Sequence, residues 1–223
     1  MLTSIYIDGF NFYYGAVKGT PYKWLDFSAL CRILLPLHQV KRIYYFTALV
    51  DARPSDPDKR MRQETYLRAL KTLPNMKIVL GSFLSHVTNM PLANGKGYVD
   101  VIKTQEKGSD VNLAAQLLLD GFRNDYECAV VVSNDSDLLR PIQISIHDLG
   151  KKVGVLAPTQ NKHPSRSLAA NATFIKHIRP HAVAASQFSP TLTDKRGTFS
   201  KPNGWQSCIL PLCVIHTYEL LQE

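Results

Sequence analysis

The segment Ala129–Ser133 (AVVVS) runs apolar without alternation up to its final serine. A strand of that kind has to be covered on both faces, the condition of a parallel sheet with helices above and below. Leu2–Ile7, Arg42–Leu49, Lys77–Leu84, Lys152–Leu156 and Thr173–Ile178 read as further strands. Helical spacing of apolar residues separates them. Phe27–Leu35 is stopped by Pro36, Pro57–Leu73 by Pro74, Val111–Phe122 is uninterrupted, and Leu138–Leu149 is closed by Gly150. Strands alternating with helices predict an α/β fold, with a mostly parallel sheet and helices on both faces. Pro91–Lys103, with Asn94-Gly95 and Gly97, reads as a hairpin or an irregular excursion. Beyond His181 the chain turns rich in Ser, Thr, Pro and Gly, so a domain over residues 1–180 and a loop-like extension over 181–223 are expected. The extension ends in an apolar stretch, Ser207–Glu223, suited to an edge element or to self-association, and a homodimer is compatible with it.

The 223 residues suit one such domain with a substantial core. No stretch approaches the roughly 18 apolar residues of a membrane span, and Asp8 interrupts the first apolar run before it resembles a secretory signal. Cys31, Cys128, Cys208 and Cys213 form no CxxC pair, which favours reduced thiols and a cytoplasmic location. The formal charge of +8 is uneven. Residues 151–223 carry nine Lys and Arg against three acids, whereas residues 1–150 carry 17 against 15. A polyanionic partner and a plain solvated basic face both fit that distribution.

Ligands of an open parallel sheet gather outside the carboxyl ends of its strands. Asp8 ends the first expected strand, Asp135 and Asp137 follow Ala129–Ser133, and Asp110 opens the helix Val111–Phe122. Each alone is explained as a helix cap, worth about 1 kcal/mol. Four carboxylates at one rim repel one another unless a cation lies between them, and hard ions such as Mg2+ or Mn2+ take oxygen ligands.

The blocks Ile7-Asp8-Gly9-Phe10-Asn11, Glu106 to Ala114 (EKGSDVNLA) and Ser133-Asn134-Asp135-Ser136-Asp137 resemble the three signature blocks of the NYN domain family, a PIN-like group that includes the LabA-like branch. The resemblance covers about residues 3–156, and more loosely continues to Lys201–Trp205. It implies a Rossmann-like PIN-type fold and a Mg2+- or Mn2+-dependent ribonuclease. Asp8, Asp110, Asp135 and Asp137 then match the catalytic metal ligands, with Asn11 and Ser133 in supporting roles. Asn134 stands where many relatives have Gly, and Gln116 where many have a further acid.

The implied reaction is hydrolysis of phosphodiester bonds in single-stranded RNA by an endoribonuclease, because the motifs supply a cleavage centre and no groove-reading helix. Lys103, Lys107, Lys162 and Arg166 are candidates for phosphate contacts. Phe12, Tyr13 and Tyr14 suit either base stacking or core packing. Two rival readings stay open. One is a non-catalytic RNA-binding or regulatory module; the other follows from chains resembling this branch that are described as NADH-dependent hydroxylases of aromatic compounds. Against the latter, Ile7-Asp8-Gly9-Phe10 puts an acid where a dinucleotide fold has its GxGxxG.

Overall fold

The computed structural model describes residues 1–52, 54–158 and 163–205, so Lys162, Cys208, Cys213 and Ser207–Glu223 lie outside the described residues. The chain order is β1 (Leu2–Asp8), α1 (Gly9–Phe12), α2 (Phe27–Leu34), β2 (Gln39–Thr47), α3 (Lys59–Leu70) and β3 (Met76–Leu80). There follow β4 (Ser82–Pro91), β5 (Tyr98–Lys107), α4 (Ser109–Phe122), β6 (Cys128–Val132), α5 (Leu139–Gln143) and β7 (Lys152–Ala157). Next come α6 (Arg166–Asn171), β8 (Phe174–His177), α7 (Pro180–Ala184), β9 (Thr191–Asp194) and β10 (Gly197–Ser200).

Six strands pair in parallel in the order β3-β2-β1-β6-β7-β8. The apolar runs explain this sheet. All five residues of β6 are buried, as are six of the seven in β1, so both faces need cover. On one face Ile5, Ile7, Val130 and Val132 pack with Phe27 and Leu30 of α2 and with Tyr66 and Leu70 of α3. On the other, Tyr6, Ala129 and Val131 pack with Leu113 and Leu117 of α4 and Ile142 of α5. This is the α/β architecture expected from the sequence. The chain winds outward from β1 to β2 and β3, then returns to lay β6 on the opposite side of β1. The carboxyl ends of β1 and β6 therefore flank the crevice where strand order reverses.

Three local expectations are corrected. Lys77–Leu84 is not one strand: β3 ends at Leu80, and β4 begins a separate two-stranded sheet with β5. Gly81 is the break, held by its N–H to Thr47 and so close to β5 that a Cβ there would meet the Lys107 carbonyl oxygen at 2.6 Å. The hairpin is thus longer than Pro91–Lys103, and it turns through Gly95 and Gly97 at positive φ. Leu138–Leu149 is not a continuous α-helix. It opens as a 3-10 turn at Ser136–Leu138, passes through α5 and ends as a π turn at Ile144–Asp148, with Gly150 at φ +64 closing it. Pro141, without an N–H, disrupts the ladder within it.

The third correction concerns residues 182–204, which are not loop-like. They contain part of α7 and the β9–β10 hairpin, and Phe188, Leu192, Phe199 and Trp205 pack against the core. Cys31 and Cys128 are buried free thiols. Among the described residues no helix is long and apolar enough to cross a membrane.

Candidate functional site

Asp8 closes β1 and caps α1: its Oδ1 accepts from the Asn11 N–H at 2.9 Å. The parallel register sets Ile7 beside Val132, which brings Ser133 level with Asp8, and the Ser133 hydroxyl donates to Asp8 Oδ2 at 3.0 Å. The same hydroxyl accepts from the Asp135 N–H at 3.1 Å. Asp135 Oδ1 in turn accepts from the Asp137 N–H at 3.0 Å and caps the 3-10 turn. Asn11 reaches across and accepts from the Asn134 N–H at 3.0 Å. Asp8, Asn11, Ser133 and Asp135 thereby form one bonded lattice across the crevice between β1 and β6.

Asn134 answers the question raised by its replacing a glycine. Among the described non-glycine residues only Asn124 has a positive φ, so this turn does not use the conformation a glycine would permit. Its side chain works instead: Oδ1 accepts from the Ser165 N–H at 2.7 Å, pinning the start of α6 to the rim. Gln116 is likewise engaged, donating to Asp120 Oδ1 at 2.7 Å deep in the other face.

Asp110 lies in the first turn of α4, behind Gly108 at φ +93. Burial and repulsion from Asp8, Asp135, Glu106 and Asp137 raise its carboxyl from 3.8 to about 6. Burial also raises that of Asp8, which is 5% exposed, against the opposing hydrogen bonds from Asn11 and Ser133. Asp110 thus feels the charge of Asp8, Asp135 and Asp137, and Asp8 that of Asp135. Glu106 is a fifth acid that the sequence reading did not assign; it accepts from the Ser109 N–H at 3.1 Å and caps α4.

The basic candidates are less gathered. Lys107 ends β5 at the base of the hairpin, whereas Lys103 pairs opposite His86 further along it, and both are exposed. Arg166 is exposed at the start of α6, next to the pinned Ser165. Of the three aromatic residues after Asn11, Phe12 is core and Tyr14 is 61% exposed.

Among the described residues, no three His, Cys, Asp or Glu side chains converge as a ready-made metal cluster. The donor set still fits a hard divalent ion. Its donors are all carboxylate oxygens, Mg2+ commonly takes only one or two of them, and waters and substrate phosphate fill its remaining positions.

Residues 2–179 match the NYN domain. The chain belongs to the NYN domain family. Membership places it in a nuclease-like group whose members generally use divalent metals. The chain is also 31% identical to 6-hydroxy-3-succinoylpyridine 3-monooxygenase HspA of Pseudomonas putida, over 91% of this chain and 75% of that protein. In structure it resembles a protein of unknown function from Vibrio parahaemolyticus, with a TM-score of 0.52 and 17% identity, over 79% of this chain and 92% of that one. That likeness bears on the fold alone.

The raised carboxyls of this NYN site have a measurable consequence. The folded metal-free protein holds the Asp110 proton more tightly than the unfolded chain does. The stability it contributes is full below about 3.8 and is lost as pH rises through about 6. Thermal melts in chelator should therefore fall across that window, and Asp110→Asn should flatten the fall. A wild-type melt independent of pH there would show that neither burial nor the neighbouring acids raise the Asp110 carboxyl.

Proposed function

We propose that this NYN protein is a metal-dependent endoribonuclease that hydrolyses single-stranded RNA. The observation that supports it most is the bonded frame at the β1/β6 crevice, where the Ser133 hydroxyl joins the Asp8 carboxylate to the Asp135 backbone beside the half-buried Asp110. Asp8, Asp110, Asp135 and Asp137 would hold a Mg2+ or Mn2+ ion. Bound there, such an ion lowers the pKa of a coordinated water and neutralises charge on the scissile phosphate. The protein's own groups fix the frame. Ser133, bonded to both Asp8 and the Asp135 backbone, sets the spacing of the two carboxylates. Asn11, bonded to the Asn134 N–H, keeps the turn after β6 against α1. In the reaction a water oxygen bonds to phosphorus, one ester P–O bond breaks and the leaving oxygen takes a proton. Lys107 and Arg166, on either side of the rim, would meet the flanking phosphates.

The test is cleavage of an unstructured oligoribonucleotide by the full chain with Mn2+, with Mg2+ and with chelator. Cleavage that needs the metal is the expected result; strand binding without cleavage in either metal would favour the regulatory-module reading.

The Pseudomonas relative's name supports a second reading, a hydroxylation of a heteroaromatic substrate. The cap geometry weighs against a dinucleotide at the first turn. The Asp8 carboxylate accepts from the Asn11 N–H, filling the place where a pyrophosphate would bind. Following NADH absorbance with pyridine acids present separates the two readings.

A further inference from the structure

We infer that the cleft between α1 and α3 is a second binding site, built for a planar heteroaromatic ring that carries an anionic group. The cleft has a volume of about 240 Å³, and Gly9, next to Asp8 in the chain, is part of its lining. It is walled by aromatic rings. Tyr45 and Tyr66 are 7% and 8% exposed and meet edge-to-face at 6.4 Å, and Tyr66 meets Trp205 at 5.9 Å and 69°. Phe10 and Tyr13 complete the walls, and the exposed Tyr14 stands at the mouth. Such walls favour a flat ring, stacked or edge-on. The volume falls below the roughly 300–1,000 Å³ of sites for drug-sized ligands, so one ring or a fused pair suits it.

The charge selects the substituent. Lys23, Lys59 and Arg62 line the cleft, with Asp56 as its only acid. Asp56 is already taken, accepting from Arg62 at 2.7 and 2.6 Å, and this pair together with Lys59 and Lys23 holds its carboxyl below the ordinary range. The side-chain ammonium groups of Lys23 and Lys59 make no hydrogen bond or close ion pair among the described residues, although both feel the Asp56 charge. Two ammonium groups without a hydrogen-bonded carboxylate, beside an aromatic cleft, fit a phosphate or a carboxylate. The floor is held firm by Gln63, which donates to the Ala48 carbonyl and accepts from the Val50 N–H, both at 2.8 Å.

The cleft and the acid rim share a wall. A Cβ at Gly9 would meet the Tyr45 ring at 2.8 Å, and burial, with a smaller contribution from the Asp8 charge, raises the Tyr45 hydroxyl. Two sources supply the required chemistry: a nucleotide of a strand lying on the rim, or a free heteroaromatic acid. Only the strand source rests on the nuclease reading; the aromatic walls, Lys23 and Lys59 that make the site stand apart from it.

Calorimetric titration of the full chain in chelator tests it, with 5′-AMP against adenosine and nicotinate against nicotinamide. At least one charged compound should bind about tenfold more tightly than its neutral partner. Lys23→Gln with Lys59→Gln should erase that preference while the circular dichroism is unchanged, and Lys59→Gln alone should halve it on a logarithmic scale. Asp135→Asn should titrate like wild type, so loss of cleavage and loss of this site are read separately. Preference for 5′-AMP alone assigns the strand, for nicotinate alone the free acid, and for both the shared chemistry. No binding, no preference for charge, or a preference that survives in both lysine variants would overturn the proposal.

Discussion

Asp135→Asn should lower cleavage of single-stranded RNA by more than about a hundredfold while leaving the fold intact. Removing an outer-shell partner of a metal ligand already costs roughly 10–100-fold, and losing a ligand should cost more. The fold should survive because the bond that Asp135 makes needs only an acceptor. Asparagine Oδ1 can still take the Asp137 N–H, now at 3.0 Å, and asparagine caps as well as aspartate. The contact from the Asp135 N–H to Ser133 is made by the backbone and stays. One charge fewer also relieves Asp8 and Asp110, both of which Asp135 pushes upward. The Asp110 carboxyl should therefore titrate at lower pH in the variant, a shift that carbon NMR of the side chain can follow. Mn2+ affinity equal to that of wild type would show that Asp135 is a cap and no more.

The sheet was legible because burial on both faces leaves a mark in a few consecutive residues. Leu2–Ile7 and Ala129–Ser133 carry it, and they became β1 and β6, the central pair. Their ends fixed where Asp8 and Asp135 lie, since parallel register carries both to one rim. Features that depend on distant partners left no such mark. Gly81 looked like a residue within a strand, and only the approach of β5 reveals it as a break. Glu106 sits in an exposed polar strand, where an acid is unremarkable until α4 is seen to start on it. Asn134 earns its place through Ser165, 31 residues later. The aromatic cleft draws on five separate segments between Gly9 and Trp205, none patterned locally as a pocket.

The segment after His181 was misread for a related reason, and Trp24 is where that reading can be tested. Ser, Thr, Pro and Gly are common there, yet its few large apolar residues converge on one side chain. The Trp24 indole is fully buried and meets Tyr66, Phe188, Phe199 and Trp205 at 5.9–6.5 Å. Its Nε1–H donates to the Ser189 carbonyl at 2.8 Å. The backbone follows: the Phe188 N–H donates to Trp24, and the Asp26 N–H to Ser186. Trp24→Ala should cost roughly 3–5 kcal/mol for the lost packing and the cavity left behind. The lost bond to the Ser189 carbonyl adds little, because Ser189 is exposed and water can take the place of the indole N–H. Against a total stability of roughly 5–15 kcal/mol this is near the limit of folding, and the melting temperature should fall by about 10 °C or more. Trp24→Phe, which keeps a ring but loses the N–H, should fall between the two proteins. Because Trp205 is also a wall of the cleft, the alanine variant should lose affinity for 5′-AMP or nicotinate even where it remains folded. A melting temperature within a degree or two of wild type would mean that residues 188–205 do not depend on the core. The cleft would then have to be built without Trp205.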